Sequence, residues 1–455
     1  IRYNTGKRSP TPAAYSPEAR ISVMQQAPHA LYLRLLAVVA AALVCVALAG
    51  RIRDTALVDV QTIATTPSTI VKSTTPSTTT TTATIPQSGA TAALLFDATA
   101  QTVLAAQNAD RRVAPASLTK LVTAAVALQH LKPDAKLTVG AEIGMVHANS
   151  SLCYIRRGQR LTLENLLYGM LLESGNDAAY TVAVHTARAA FPAEKLTDKR
   201  AVQRFCELMN RYAANIGMTN SHFSTPDGWD DKAQYTTARD LLTLTQRVLE
   251  IPELAAIAGT ARRQVALSSG YTITWKNSNL LLQKSSRYYD PRVTGLKTGT
   301  TGKAGVCISA SAERDGLRLI AVVLGSASGK ERFQAASTLL DYGFAHYESA
   351  AAALPGDAPQ TLHVEHGTAA TVPLNYESPG HCLMPKGEGG TLEAVVELPA
   401  SLSAPVAAGE QVGRIKILHQ GTEMCSYPIT AAQNVDALSF RYCLRLLAQS
   451  LLLRN

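Results

Sequence analysis

Strand-like segments lie at the two ends of the region between residues 88 and 348, and this placement constrains the fold more than any other feature. The first pair of strands flanks a turn at Asp97–Gln101. The second pair, "VCISASAERDGLRLIAVVLGS", alternates apolar residues on either side of Asp315-Gly316, which is typical of an antiparallel hairpin. Because strands must pair, we predict one antiparallel sheet assembled from both ends of the region, with helices between them: an α+β fold.

The middle of this region is predicted to be helical. Helical patterns run from Ser117 to about His130 and from Lys199 to about Ile216, and two more lie in "LTLENLLYGMLLE" and "TARDLLTLTQRVLE". A strand in "VTGLKTG" precedes the second hairpin, and a helix in "KERFQAASTLLDYGFAHY" closes the unit.

The sequence changes character after Pro355, where short β-type runs are separated by glycine and proline. We predict a small all-β domain at residues 357–430. Residues 434–455 follow as an amphipathic helix with one polar face, formed by Arg441, Arg445 and Gln449. Such a helix is suited to a membrane interface, and packing of the helix against its own domain is the alternative.

The first 87 residues divide into three segments. Residues 1–34 are basic, residues 35–50 are an apolar run flanked by arginines, and residues 51–87 are rich in Thr, Ser and Pro and bury too little to fold. The apolar run suits an export signal with a cleavage pattern at Ala47–Ala49, and an uncleaved anchor is the alternative. Either interpretation predicts that the remainder lies outside the cytoplasm, attached to the membrane surface.

The chain carries 43 Lys and Arg against 34 Asp and Glu, a net charge of +9, and part of this excess lies in its first 54 residues. Basic residues before an apolar run are typical of membrane topology. The sequence contains no zinc-finger or RNA-binding aromatic motif, so we predict no nucleic-acid partner.

Seven cysteines are spread over the chain without a C-x-x-C pair or a His/Cys cluster of zinc-ligand spacing, so we predict no metal site. Cys382 and Cys425 lie in the same small C-terminal region. An oxidising compartment would allow a disulfide between them, although two buried free thiols are the interpretation that we favour.

Ser117 and Lys120, in "RRVAPASLTKLVTAAVAL", share one face in the first turn of a predicted helix. A serine nucleophile needs a nearby base, and a lysine amine serves only if its pKa falls far enough to leave it neutral. A single Ser-x-x-Lys match carries little weight, since about one or two are expected by chance in a chain of this length.

Two further tripeptides strengthen that match. Ser174–Asn176 and Lys297–Gly299 follow it in that order, and Ser-x-x-Lys, Ser-x-Asn and Lys-Thr-Gly each occur once in the sequence. Together they are the motif set of penicillin-binding proteins and serine β-lactamases. With "LLYGMLLESGNDAAYTVA", "STPDGW", "YTTARDLL" and "GLKTGTTGKAG", residues 88–348 resemble the low-molecular-weight D-alanyl-D-alanine carboxypeptidases.

The resemblance implies a β-lactamase/transpeptidase-like fold, in which the helical insertion is an all-helical subdomain. It implies removal of the terminal D-Ala from peptidoglycan stem pentapeptides through an acyl-enzyme, with β-lactam antibiotics as covalent inhibitors. The implied location is the outer face of the bacterial cytoplasmic membrane, and no cofactor is needed.

The resemblance also assigns catalytic roles to three residues. Ser117 attacks the carbonyl carbon of the penultimate D-Ala, and Lys120 takes the proton of the serine hydroxyl. Ser174 then passes that proton to the leaving amine. A base that is poised by its surroundings and held against the nucleophile is the general requirement of such chemistry.

Substrate binding is implied for a second set of residues, namely Asn176, Lys297, Thr298, Gly299 and Thr300. Lys297 and Thr298 would hold the terminal carboxylate of the substrate. Gly299 would leave room for the substrate to pair with the strand, and the N–H groups of Ser117 and Thr300 would form an oxyanion hole.

Four further residues are weaker candidates. Asn279 lies at a position similar to a family asparagine, although capping of a helix explains it equally well. For Arg332 we favour a solvated position on a helix over a contact with the substrate carboxylate. His222 and His363 are predicted to be structural or surface residues.

The sequence departs from the family pattern at two positions. Gln234 stands where a histidine is common, and Glu173 replaces a small residue or proline beside the second motif. We expect the activity to survive both changes.

Three other functions are less consistent with the sequence. A class A-type β-lactamase needs a glutamate that positions water, but the segment around Glu194 lacks the E-x-x-x-N pattern. A transpeptidase that uses an amine acceptor is disfavoured by the small C-terminal domain and the tail. A non-catalytic penicillin or peptidoglycan sensor is disfavoured because all three motifs are intact.

Overall fold

The computed structural model describes residues 88–267, 270–376, 381–388, 390 and 392–452 of the chain. The basic region, the apolar run and the Thr/Ser/Pro-rich segment that we predict in the first 87 residues lie outside this range. Within the described residues, no helix combines the length and the apolar character that crossing a bilayer requires.

Five strands from both ends of the first region form one antiparallel sheet, in the order β2-β1-β9-β8-β7. The strands of this region are β1 (Ala92–Asp97), β2 (Thr102–Gln107), β3 (Lys136–Thr138), β4 (Arg160–Thr162), β5 (Arg262–Ala266), β6 (Thr272–Lys276), β7 (Val293–Thr301), β8 (Gly305–Arg314) and β9 (Leu317–Ser326). The turn between β8 and β9 has positive φ at Asp315 (51°) and Gly316 (79°), as expected for a tight hairpin. The predicted α+β fold is therefore confirmed, and β7 lies at the edge of the sheet.

The helices of the described residues lie mostly between β2 and β7. They are α1 (Thr119–His130), α2 (Leu163–Leu172), α3 (Asn176–Ala190), α4 (Asp198–Asn215), α5 (Ala238–Leu249), α6 (Pro252–Gly259), α7 (Gly329–His346) and α8 (Phe440–Leu452). The hydroxyl groups of Thr162, Thr197 and Thr237 cap α2, α4 and α5 by accepting a backbone N–H. The predicted helices correspond to α1, α2, α4, α5 and α7.

Two apolar cores hold the sheet between layers of helices. Phe333, Leu340 and Phe344 of α7 pack on one face. The other face meets the helical insertion, whose centre is α1, buried along its first nine residues from Thr119 to Ala127. The sequence did not predict α3, α6 or the β5-β6 hairpin. In α3 the cause is burial on nearly every side, which leaves no amphipathic period to detect.

The C-terminal residues form a second, six-stranded sheet with strand order β14-β16-β17-β12-β11-β15. The strands after α7 are β10 (Tyr347–Ala350), β11 (Thr361–Glu365), β12 (Thr371–Tyr376), β13 (Cys382–Pro385), β14 (Leu392–Glu397), β15 (Leu402–Ser403), β16 (Gln411–His419) and β17 (Thr422–Ala431). The predicted β-type runs appear as β11, β12, β14, β16 and β17. Strand β13 pairs with β10, the direct continuation of α7, and so joins the two parts of the chain.

The expectation of two free thiols at Cys382 and Cys425 is wrong. The two residues form a disulfide between β13 and β17, with their Cα atoms 6.6 Å apart. The reason lies in the tertiary structure. Strand β13 pairs with β10, and Cys382 thereby lies beside β17, a long-range contact that no local sequence pattern reveals. Among the described residues, Cys153, Cys206 and Cys307 are buried free thiols and Cys443 is exposed.

The tail forms the predicted amphipathic helix, α8. Its large apolar side chains face solvent, including Phe440 at 62% exposure and Leu447 at 54%. One hydrogen bond ties it to the β domain, from the Tyr442 hydroxyl to the carbonyl of Thr368 at 3.3 Å. The apolar face of α8 is therefore not buried against its own domain, which was the alternative prediction.

Candidate active site

Ser117 lies in a one-turn 3-10 helix, Ala116–Leu118, directly before α1. The turn is tight, since Ala116 has a φ of 48°. It is held from one side by Gly228, where an added Cβ would come within 1.8 Å of the Ala116 carbonyl oxygen. The nucleophile candidate is thus fixed by close backbone packing and not by its own side chain.

Lys120 follows on the same face, and its amine is fully buried. Its Nζ lies 2.8 Å from the Oγ of Ser117. It also donates to the Oδ1 of Asn176 at 2.7 Å and to the backbone carbonyl of Asp227 at 2.7 Å. The first and second motifs are therefore joined through this amine.

The partners of Lys120 determine how a neutral amine would be oriented. In the charged form three protons meet three acceptors. In the neutral form the amine keeps two protons and a lone pair, and two of its neighbours, an amide oxygen and a backbone carbonyl, only accept hydrogen bonds. The lone pair is therefore left for the hydroxyl of Ser117, the neighbour that is able to donate a proton.

Burial makes this neutral form accessible. Desolvation lowers the pKa of Lys120 to about 8, while the charges of Asp227, Asp177 and Cys153 act in the opposite direction. At neutral pH roughly one amine in ten then lacks its third proton, which suffices for a general base.

The second motif lies where α2 ends and α3 begins. Ser174 has a φ of 60°, and Asn176 is the first residue of α3, with its backbone N–H donating to the Ser151 carbonyl. An added Cβ at Gly175 would lie 2.7 Å from Cys153 Sγ, so the loop before β4 packs tightly over the motif.

Ser174 itself is buried, with 8% of its surface exposed. Among the described residues, no hydrogen bond joins its hydroxyl to Ser117 or Lys120. The structure therefore places Ser174 beside Asn176 but does not show the proton path that the resemblance implies.

The third motif lies on the edge strand β7, against the turn of Ser117. An added Cβ at Gly299 would lie 2.9 Å from both the backbone nitrogen of Ser117 and the Cβ of Ala116. The missing side chain of this glycine therefore also makes room for the nucleophile turn, a contact that the sequence did not predict. Thr298 shares a hydrogen bond of 2.7 Å with Ser278, and the hydroxyl of Thr300 donates to the carbonyl of Gly299 at 2.8 Å.

Lys297 is fully buried, and its amine donates to the Thr298 carbonyl at 2.9 Å. Burial first, and then the positive charges of Lys120 and Arg332, hold its pKa well below the usual range. Neither Lys297 nor Arg332 forms an ion pair within the described residues. This end of the site therefore holds two basic groups without a counter-ion and is suited to an anionic ligand.

Arg332 is not the solvated arginine that we predicted. It is half-buried on α7, and its guanidinium approaches the carbonyls of Gly299 and Cys307, each at 3.4 Å. Burial lowers its pKa to about 10. The first turn of α7 lies against β7 and β8, so this helix position faces the site and not solvent.

The other candidates have structural roles. Asn279 caps a one-turn helix, with its Oδ1 accepting from the N–H of Leu281 at 3.1 Å. The Nδ1 of His222 donates to the Ala233 carbonyl, 3.0 Å away, and His363 is exposed on β11. These placements confirm the predictions of a cap and of structural or surface histidines.

The two departures from the family pattern are accommodated away from Ser117. Glu173 ends α2 and accepts from the N–H of Lys276 at 2.8 Å. Gln234 is buried and accepts from the N–H groups of Ser224 and Thr225, each at 3.1 Å, so it braces the loop that carries Gly228.

Glu194 does not act in this site. It forms an ion pair with Arg204 on α4, and among the described residues it makes no hydrogen bond or ion pair with the three motifs. Within the described residues, no group of His, Cys, Asp and Glu has the arrangement of a metal site.

Two participants were not identified from the sequence. Asp227 contributes the carbonyl that holds Lys120, and Ser278 contributes the hydroxyl that meets Thr298. Asp227 stands in the stretch "STPDGW", whose proline and glycine mark a turn, and this was the available signal.

Comparison with known proteins extends over both parts of the chain. A family model described as D-alanyl-D-alanine carboxypeptidase matches residues 78–328. A second, described as the C-terminal domain of penicillin-binding protein 5, matches residues 347–437.

Individual relatives agree with these matches. The D-alanyl-D-alanine carboxypeptidase DacC of Escherichia coli is 32% identical over 366 residues, which are 78% of this chain and 86% of that protein. The D-alanyl-D-alanine carboxypeptidase of Streptomyces sp. K15 is 34% identical over 253 residues, covering 54% of this chain and 83% of that protein.

Among solved structures, penicillin-binding protein 5 from Haemophilus influenzae is similar with a TM-score of 0.63 and 29% identity, over 78% of this chain and all of that one. The motifs in their order, the fold and these matches lead to one conclusion, which is that the chain belongs to the D-alanyl-D-alanine carboxypeptidase family of low-molecular-weight penicillin-binding proteins.

Proposed function

We propose that this chain removes the terminal D-Ala from peptidoglycan stem peptides through an acyl-enzyme on Ser117. The observation that supports this most directly is the 2.8 Å approach of the buried Lys120 amine to the serine hydroxyl. The other two hydrogen bonds of that amine end on pure acceptors, so its lone pair is directed at Ser117.

In the acylation step, the Oγ of Ser117 forms a bond to the carbonyl carbon of the penultimate D-Ala, and Lys120 takes the hydroxyl proton. The backbone N–H groups of Ser117 and Thr300 stabilise the negative oxygen of the tetrahedral intermediate. The C–N bond then breaks as Ser174 donates its hydroxyl proton to the leaving amine, which departs as D-Ala, and Lys120 returns to Ser174 the proton that it took from Ser117. Water hydrolyses the ester and regenerates the serine hydroxyl.

The carboxylate of the substrate fits the positive end of the site. Lys297 and Arg332 lack a counter-ion within the described residues, and a terminal carboxylate supplies one. Thr298 offers a hydroxyl to the same group. Since β7 is an edge strand, the extended stem peptide is able to pair with its free side.

The same features favour acylation by β-lactams, which present a carboxylate beside a strained amide. Hydrolysis of the resulting ester is slow in this class of site because the leaving group stays attached. We therefore include β-lactams among the ligands as covalent inhibitors.

We also propose that the enzyme works outside the cytoplasm, on the outer face of the cytoplasmic membrane. The disulfide between Cys382 and Cys425 fits an oxidising compartment. The exposed apolar side chains of α8 support attachment at a lipid surface, together with the predicted apolar run at residues 35–50.

The experiment compares the purified wild-type chain with the Ser117→Ala variant. Both are incubated with fluorescent penicillin and, separately, with a stem pentapeptide whose D-Ala release is measured. We expect covalent labelling and D-Ala release from the wild type and neither from the variant. Labelling that persists in the variant would exclude Ser117 as nucleophile, and labelling of the wild type without D-Ala release would exclude the carboxypeptidase.

A further inference from the structure

The carboxylate of Asp227 is buried but only partly hydrogen-bonded. The residue is 1% exposed. Its Oδ1 accepts the backbone N–H of Trp229 at 3.1 Å, whereas its Oδ2 is buried and has no hydrogen-bond partner among the described residues. A buried carboxylate oxygen without a partner is costly unless positive charge lies close by.

That positive charge is the amine of Lys120. The backbone carbonyl of Asp227 accepts its Nζ at 2.7 Å, and the charge of Asp227 acts on the same amine. Burial is the main cause of the lowered pKa of Lys120, and Asp227 is the leading cause that opposes it.

The groups around this pair come from several elements. Asp177 on α3 and Cys153 in the loop before β4 also face Lys120, and Lys297 on β7 adds positive charge. Tyr180 on α3 faces Asp227, as does Cys206 on α4, and burial together with this carboxylate raises the pKa of both groups. Both groups are neutral near pH 7, so they add no charge beside Asp227.

The loop that carries Asp227 is held firmly in place. Gly228 fits against Ala116 so closely that no side chain is accommodated there. The hydroxyl of Thr123 on α1 donates to the Pro226 carbonyl at 2.6 Å, and the side-chain amide of Gln234 donates to the Trp229 carbonyl at 2.8 Å. The position of the carboxylate relative to α1 is therefore fixed by the fold.

We propose that Asp227 is a positioning residue for the base: its carbonyl orients the amine of Lys120 toward Ser117, and its buried carboxylate is the anionic neighbour of that amine. This inference rests on the proposed role of Lys120. A lysine buried beside Lys297 without a nearby anion would be neutral at low pH but would be a weaker base. The carboxylate of Asp227 keeps the base strong at the pH where the enzyme works.

The test is the pH dependence of penicillin acylation in Asp227→Asn, measured with the full chain in single-turnover mode. This change removes the charge but keeps the backbone carbonyl that Lys120 contacts. We expect the rising limb of the profile to move to lower pH by about one unit, because the amine loses its proton more easily. The limiting rate at high pH falls, since the base is weaker.

Asp240→Asn is the matched control. Asp240 is also a buried carboxylate, and it accepts from the Asn220 N–H at 2.8 Å and the Ser221 hydroxyl at 2.7 Å at the start of α5, away from Lys120. We expect its profile to keep the wild-type midpoint. If Asp227→Asn does not fold, Asp227→Ser is measured in its place, since serine also removes the charge and keeps the carbonyl.

The outcomes separate this inference from the function on which it rests. A wild-type profile with a rising limb and an Asp227→Asn profile with the same midpoint would overturn the role of Asp227 alone, as would a uniform loss of rate at every pH. Absence of any penicillin acylation in the wild type would instead overturn the proposed function.

Discussion

The two buried lysines of the site differ in their surroundings. Lys120, at the start of a helix, meets three acceptors and faces two carboxylates, Asp177 and Asp227. Lys297, on an edge strand, meets the carbonyl of its neighbour Thr298 and faces two cations. Both amines are fully buried, so burial alone does not distinguish them.

This difference separates two functions that lysine performs in one cleft. An amine with anionic neighbours keeps a pKa near the working pH and is suited to exchange a proton. An amine among cations has its charged form stabilised only when an anion arrives, so it is suited to bind one. We therefore assign proton transfer to Lys120 and carboxylate binding to Lys297, and the following changes test that division.

The largest effect is expected from Lys120→Ala. Removing the base should lower the rate of penicillin acylation by about a thousandfold, because the Ser117 hydroxyl loses its proton acceptor. The rate is measured by stopped-flow with a fluorescent penicillin. Lys330→Ala on the exposed side of α7 serves as the control and should retain the wild-type rate. A loss of less than tenfold in Lys120→Ala would contradict the assignment of the base.

Lys297→Gln should have a smaller effect of a different kind. Loss of one charge-assisted contact to the substrate carboxylate should lower kcat/KM for a stem pentapeptide by about 10- to 100-fold. The midpoint of the pH profile should move upward, because removal of a neighbouring positive charge favours the protonated form of Lys120. A displacement of that midpoint to lower pH would contradict the placement of a positive charge on Lys297 beside Lys120.

Gly228→Ala tests the packing that supports Lys120. A Cβ at Gly228 would lie 1.8 Å from the Ala116 carbonyl oxygen, whereas one at Gly217 meets nothing within 4 Å, and both glycines have φ near 90°. Gly217→Ala should therefore lose only about 1 kcal/mol of unfolding free energy, the conformational cost at positive φ.

The Gly228→Ala variant should lose at least about 2 kcal/mol more in urea denaturation, and its acylation rate should fall about tenfold. The acylation rates of the two variants are compared in the absence of urea, under conditions in which both are folded. Equal stability of the two variants would show that the loop yields, and that the close contact with Ala116 does not hold the nucleophile turn.

The smallest catalytic effect is expected from deletion of residues 440–455, which removes α8 but keeps the segment before it that packs on the β domain. Neither lysine contacts α8, so D-Ala release from a soluble peptide should stay at the wild-type rate. Co-sedimentation with vesicles that contain anionic lipid should fall, because the exposed apolar side chains of α8 are lost. Unchanged sedimentation would contradict the proposed attachment through this helix.

Short-range patterns account for the part of this structure that was predictable. The three-residue spacing of Ser117 and Lys120 places them on one helical face, and the alternation around Asp315 predicts a hairpin, because both depend on local backbone geometry. The family resemblance supplied the rest of the site by matching motifs that lie far apart in the chain.

Long-range packing accounts for what was missed. Asp227, Arg332 and the disulfide partner of Cys382 each act on residues that are distant in sequence, and no periodicity links them. The contact of Gly299 with the turn of Ser117 was also missed, since only the fold brings these two segments together. The sequence thus predicted most of the helices and strands but not the contacts between them.

The pH dependence of wild-type penicillin acylation tests the central claim most directly. The rate is measured in single-turnover mode from pH 6 to 9.5. Since the pKa of Lys120 is lowered to about 8, the neutral amine becomes the major form as the pH rises through that value, and the rate should rise tenfold per unit below it and level off above it. A rate that is constant across this range, or that falls as the pH rises through 8, would contradict a neutral Lys120 as the base.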